Sequence, residues 1–178
     1  MKKIGLLFTA LLMLSCSASK EVIKGDEWSG FEELVTDQGI EFRAEWAKPQ
    51  QQINMGGLTR VGDSPNRINL LGNPNFVQVS GNKVSGQLPF FGSQSFNVQF
   101  NSLDQNIAFE DATPQNMRMK FNERKNQYEI SFNVTGQSNT YTMHMTVFPN
   151  KSAILRVNSA NRSTISYEGK LVEERTEI

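Results

Sequence analysis

From Ile40 onward, apolar side chains recur at every second position, the repeat of a strand with one buried and one wet face. Phe42, Ala44 and Trp46 alternate with Glu41, Arg43 and Glu45, and Pro49 stops the run. Gln50 to Pro65 contains Gly56-Gly57 and Gly62-Asp63 with weaker patterning, which predicts a loop. Arg67–Leu71 and Phe76–Ser80 read as strands flanking the turn Gly72-Asn73-Pro74-Asn75, and Gly81-Asn82 leads into a strand over Lys83–Leu88. Phe96, Val98 and Phe100 suggest another strand, and Ile107–Glu110 a short one. The pattern is cleanest toward the C-terminus. Met117, Met119 and Phe121 start a series of apolar rows that continues through Tyr128–Val134, Tyr141–Val147, Ala153–Val157 and Ile165–Leu171. Short connections between these five strands predict an antiparallel meander, because parallel neighbours need crossovers of about a dozen residues or more.

One short helix precedes the strands. Ser29 and Glu32 have capping-box spacing, Phe31, Leu34 and Val35 share a helical face, and Gly39 is placed to end the element. A helix this short is marginal alone, so its apolar face, with Trp28, must pack on the strands. Composition points the same way: 12 Phe stand among many Val, Ile and Thr, and Asn, Ser and Gly punctuate the turns. The expected fold is all-β, an antiparallel meander forming a barrel-like or two-layer sandwich domain with one short N-terminal helix.

The N-terminus follows a different logic. Lys2 and Lys3 precede an apolar run from Ile4 to Leu14, too short for the roughly twenty residues that span a bilayer and suited to a removable secretory signal. Met13-Leu14-Ser15-Cys16 looks like a lipobox, so residues 1–15 are expected to be cleaved and Cys16 to carry the lipid of a bacterial lipoprotein, palmitate among its acyl chains. Cys16 is the only cysteine in 178 residues, which leaves it no intramolecular disulfide partner. Each buried methylene contributes about 0.8 kcal/mol, so two or three chains hold firmly. Residues 16–27 read as a tether and 28–178 as a single β-rich domain. Without a dense acidic run after the cysteine, the expected address is the outer membrane, on its periplasmic side.

Charge removes some functions from consideration. Cleavage takes away Lys2 and Lys3 and leaves 16 basic against 18 acidic residues, scattered singly, so no basic stripe suits nucleic acid. Met117-Arg118-Met119 and Met143-His144-Met145 offer soft ligands for copper. Strand geometry opposes that use, since Met143 and Met145 share a face with the core and His144, the single histidine, points away. Structural zinc and a Cys–His nucleophile lack ligands or partners, and no Gly-x-Ser-x-Gly elbow accompanies His144. Adjacent Glu110 and Asp111 would leave a regular strand on opposite faces, so no carboxylate pair stands out for glycoside hydrolysis. No cofactor is implied.

Leu88-Pro89-Phe90-Phe91-Gly92 is the most unusual local element, because Pro89 removes a ladder donor beside two large rings. Phe90 and Phe91 either pack together under a neighbouring segment or leave one ring exposed as a contact for a ligand or partner.

Three stretches carry a family resemblance: FVQVSGNKVSGQLPFFG at Phe76–Gly92, YEISFNV at Tyr128–Val134, and YTMHMTVFPNKSAILRVNSANRSTISYEGKL at Tyr141–Leu171. In order and spacing they resemble the domain-of-unknown-function 4251 family of bacterial envelope proteins, over roughly Phe31 to Leu171. The resemblance implies a small, mostly β domain behind a lipoprotein signal and brings no assigned activity. The expected function is that of a non-enzymatic envelope binding or interaction module, held to the membrane through Cys16 and facing an envelope protein, glycan or apolar ligand. An accessory lipoprotein that stabilises an envelope complex is the alternative, and an enzyme comes third. Replacing Cys16 by Ser is expected to abolish acyl labelling and release the protein from membranes; a variant that still fractionates with membranes refutes the anchor.

Overall fold

The computed structural model describes residues 28–50, 63–72, 75–93, 106–136 and 139–173. Cys16, the tether, most of the Gln50–Pro65 loop and the strand expected around Phe96–Phe100 lie outside them. The alternation becomes ten strands: β1 Ile40–Pro49, β2 Ile68–Asn69, β3 Phe76–Ser80, β4 Lys83–Pro89, β5 Asn106–Ala112, β6 Gln115–Asn122, β7 Gln127–Thr135, β8 Thr140–Val147, β9 Ser152–Ser159 and β10 Arg162–Glu173. They form one antiparallel sheet in the order β5-β4-β3-β1-β10-β9-β8-β7-β6, with β2 also on β1. The sheet curls into a half-barrel, the barrel-like alternative rather than two separate layers. Strands β6 to β10 are the expected meander.

The curl has a covalent cause. Among the described residues β5 and β6 are the two edges of the sheet, yet only Thr113 and Pro114 separate them in sequence. Two residues reach about 10 Å at most, so the edges must meet at that corner. Asp111 (φ 44°) and Asn116 (φ 53°) take left-handed backbone on either side of it, a conformation Asp and Asn tolerate better than most residues.

Inside the curl, residues paired across five strands form rows. Ile130, Met145, Leu155, Tyr167 and Ala47 make one row, and Phe132, Met143, Val157, Ile165 and Pro49 the next. Each row sets bulky side chains from β7 to β10 against a smaller one on β1, which fills the curved interior at close packing. The row nearest the helix runs Tyr128, Val147, Ala153, Gly169 and Ala44, and its small end lets β1 press on β10. A Cβ on Gly169 would be driven into the Arg43 carbonyl oxygen of the neighbouring strand.

Three local expectations change. Trp46 does not follow Phe42 and Ala44 inward, because a register shift between Ala44 and Trp46 inserts an extra residue in β1 and hands the inner positions to Ala47 and Pro49. Trp46 lies on the outer face with the Arg67 guanidinium 3.8 Å above its ring. The segments around Gly72 do not pair as a hairpin, since β2 takes Trp46–Ala47 and β3 takes Ile40–Arg43, end to end along β1. The helix lacks the expected capping box: Gly30, at φ 72°, precedes Phe31–Glu33 with no side-chain cap, and the chain then widens into a π-turn over Leu34–Gln38. Glu32 accepts the Tyr128 hydroxyl at 2.7 Å instead. Gly39 ends the element as expected, its N–H donating to the Leu34 carbonyl.

This helical segment closes one end of the half-barrel. Trp28 meets Phe31 and Tyr128 edge-on at 5.3 and 4.9 Å, and its indole N–H donates to Asn126 at 2.9 Å. The outer face is polar, with Lys48 and Arg67 on Glu168 at 2.5 and 3.8 Å and Lys170 on Glu45 at 3.1 Å. Such exposed pairs contribute at most about 1 kcal/mol each. Gly169→Ala is expected to cost about 2–3 kcal/mol by overpacking, read as a lowered urea midpoint. A wild-type midpoint would refute the close β1–β10 approach.

Candidate ligand-binding groove

The polar alternates of β3, β4 and β5 fall on the outer face of one wing of the sheet. Phe76, Gln87 and Ala108 pair across it in one row, and Gln78 and Ser85 in the next. At Ser85 the β4–β5 register shifts, leaving both Glu110 and Asp111 between the paired positions Phe109 and Ala112. This bulge overrides strand alternation. Glu110 and Asp111 do not leave on opposite faces: both are exposed and both line the same depression. The Asp111 N–H donates to the Ser85 hydroxyl at 3.0 Å, and the Lys83 ammonium donates to the Asp111 carbonyl at 3.0 Å, fixing the corner.

The far wall comes from the end of β7. Gly136 approaches the β5 backbone so closely that a Cβ would strike the Ala108 carbonyl oxygen, and Thr135 stands beside it. Behind the floor, Gly86 leaves room for the Phe109 ring, whose nearest atom would lie 2.6 Å from an added Cβ. Together these elements enclose a groove of about 700 Å³, within the size range of small-ligand sites. Six of its eleven lining residues carry polar side chains, two of them carboxylates, and none is Lys, Arg or His.

The sequence-predicted contact residues lie elsewhere. Phe90 and Phe91 are both half-buried against the core, so neither ring stands free as the exposed alternative required. Arg162 lies 5.0 Å above the Phe90 ring and donates to the Asn106 carbonyl at 3.4 Å. Ser93 and Ser163 exchange hydrogen bonds at 3.0 and 3.2 Å. The Leu-Pro-Phe-Phe-Gly element is thus a strap from β4 to the start of β10. Met143 and Met145 are buried in the core and His144 is exposed on the other face, as alternation predicts. Among the described residues no group of three His, Cys, Asp or Glu side chains is placed to hold a metal, and no helix is long and apolar enough to cross a membrane. The groove residues went unremarked in the sequence because Gln78, Ser85 and Gln87 look like any solvated strand face. The one available signal was the set of uncharged polar residues Gln78, Ser85 and Gln87 on that face.

Glu129 and Tyr167 have displaced pKa values. Glu129 is lowered, chiefly by hydrogen bonds from Asn122 and Gln127. Tyr167 is raised well above its ordinary value by burial, which Arg162 opposes and Tyr141 reinforces. Its hydroxyl donates to the Pro89 carbonyl at 2.7 Å, tying the strap to the centre of the sheet.

The geometry defines a class: a curled antiparallel β domain, stoppered by a helical segment at one end, with a polar groove on its outer wing. The chain belongs to the DUF4251 family, described as a domain of unknown function, which matches residues 24–171. The crystal structure of a DUF4251 family protein from Bacteroides eggerthii is similar in fold, with 16% identity and a TM-score of 0.54 over 83% of this chain and 87% of that one. No curated protein matches.

Tyr167 yields a prediction with a definite sign. The folded phenol keeps its proton while the unfolded one ionises near the ordinary value of about 10, so its contribution is complete below that pH and is lost as pH rises beyond it. Tyr167→Phe is expected to cost about 1–2 kcal/mol at neutral pH, because the buried Pro89 carbonyl loses its donor, and to lessen the alkaline loss of stability. Urea unfolding at pH 7 and about pH 10.5 checks both; equal alkaline losses in the two proteins would remove Tyr167 as the titrating group.

Proposed function

We propose that this chain is a non-enzymatic cell-envelope lipoprotein, anchored through lipid on Cys16, whose β domain is a binding module. The observation that carries the reading is the groove between the β3–β5 wing and the end of β7. It is built by a bulge, a closely approached glycine and a two-residue corner rather than left by a loose surface. The anchor rests on the Ser15-Cys16 junction behind the apolar run and on the absence of any second cysteine. An outer-membrane, periplasm-facing position follows from the same segment. A photo-crosslinking side chain at Gln87, inside the groove, is expected to capture a discrete species in the living envelope, whereas one at Lys170, on the central strand β10 outside the groove, is not. Equal capture at both positions, or none at Gln87, would overturn the groove as the binding surface.

A further inference from the structure

The geometry points to an uncharged, polyhydroxylated carbohydrate as the ligand of the β3–β4–β5 groove, an inference that rests on the binding-module reading. Hydrogen-bonding capacity carries it. Gln78 and Gln87 each carry a carbonyl and two amide hydrogens, Glu110 and Asp111 carry acceptors only, and the Ser85 and Thr135 hydroxyls, each already in one hydrogen bond within the chain, keep capacity for a second. The best complement is a ligand dense in hydroxyl groups, which donate to the carboxylates and both give to and take from the amides. Among the described residues the Gln87 and Glu110 side chains have no hydrogen-bond or ion-pair partner, so their polar groups are available to such a ligand.

The arrangement matches as well as the inventory. Phe76 lies directly across from Gln87, and Gln78 directly across from Ser85, two rows about 7 Å apart on a pleated face. A half-buried ring beside planar amides offers an apolar seat for the C–H face of a sugar while its hydroxyls meet the amides.

Competing ligand classes fit less well. Phosphate and sulfate groups are held by Arg, Lys or helix N-termini, and the groove is lined by none of these. An extended peptide binds by adding a strand to an open edge, but β3 and β4, which carry Phe76, Gln78, Ser85 and Gln87, are each paired on both sides, and the Gly136 end of β7 packs against the β5 backbone at Ala108. An apolar ligand would meet a lining in which most residues are polar.

Calorimetric titration of the mature full chain in detergent micelles tests the assignment, with chitohexaose and maltohexaose as amino-sugar and plain-sugar probes. Dextran sulfate and an uncharged extended decapeptide serve as the competing classes. At least one neutral oligosaccharide is expected to bind, with Gln87→Ala and Phe76→Ala weakening it at least about tenfold at an unchanged melting temperature. The two probes tell which sugar chemistry is preferred. Silence from both, tighter binding of dextran sulfate or the peptide, or wild-type affinity in Gln87→Ala would overturn the assignment. Gln87 is exposed, so its variant stays informative even where Phe76→Ala fails to fold. Silence from both sugars alongside selective capture at Gln87 defeats the carbohydrate and leaves the binding module standing. Recovery of shortened oligosaccharide would keep the ligand class and defeat the non-enzymatic reading.

Discussion

Two residues, Thr113 and Pro114, join the opposite edges of a ten-stranded sheet, and most of the architecture follows from that shortness. A sheet whose edges are stitched at one corner cannot stay open, so it must curl until β5 reaches β7. Gly136 is then needed where the two backbones come together, and Gly169 where β1 tightens against β10. The interior that results is narrow, which is why Ala44, Ala47 and Ala153 share rows with Tyr128, Tyr167 and Leu155. Bulky residues at every inward position would force the curl open.

The same corner shapes the groove. A regular β5 would have sent Glu110 inward or Asp111 inward, and either choice would have buried an uncompensated carboxylate. The bulge at Ser85 resolves this by turning both outward, with the Asp111 backbone bonded to Ser85 and Lys83. The Tyr167 hydroxyl and the Arg162 guanidinium hold the Leu-Pro-Phe-Phe-Gly strap from the inside. Fold-stabilising polar groups thus point inward at the strap, while the polar groups of the groove point outward.

Much of the fold was legible because alternation is a local signal. The inner rows of β7 to β10 follow from reading every second residue, and the separation of Met143 and Met145 from His144 follows from the same period. What could not be read depends on single inserted residues. The slip at Glu45 exchanges Trp46 for Ala47, and the slip opposite Ser85 moves Asp111. Neither position carries a Gly or Pro to mark it. Long-range pairing was equally hidden, since nothing local to Arg67–Asn75 says that β2 and β3 lie end to end on β1. The groove needed both kinds of information, which is why its residues looked ordinary in sequence while Phe90 and Phe91, conspicuous there, turned out to be half-buried against the core.

The Trp28 clasp sets a direction. Its ring and indole N–H grip the Asn126–Tyr128 end of β7, and the groove wall stands at Thr135, about 23 Å further along the same strand. With the lipid on Cys16 as proposed, the twelve residues 16–27 could reach at most about 40 Å to the clasped end, where Trp28 begins the domain. On that proposal the domain would join the membrane by its stoppered base, with the groove at the far end. A groove at the Trp28 end would keep its contact chemistry and yet lie about 23 Å nearer the anchor, so under that proposal β7 would serve as a spacer as well as a strand.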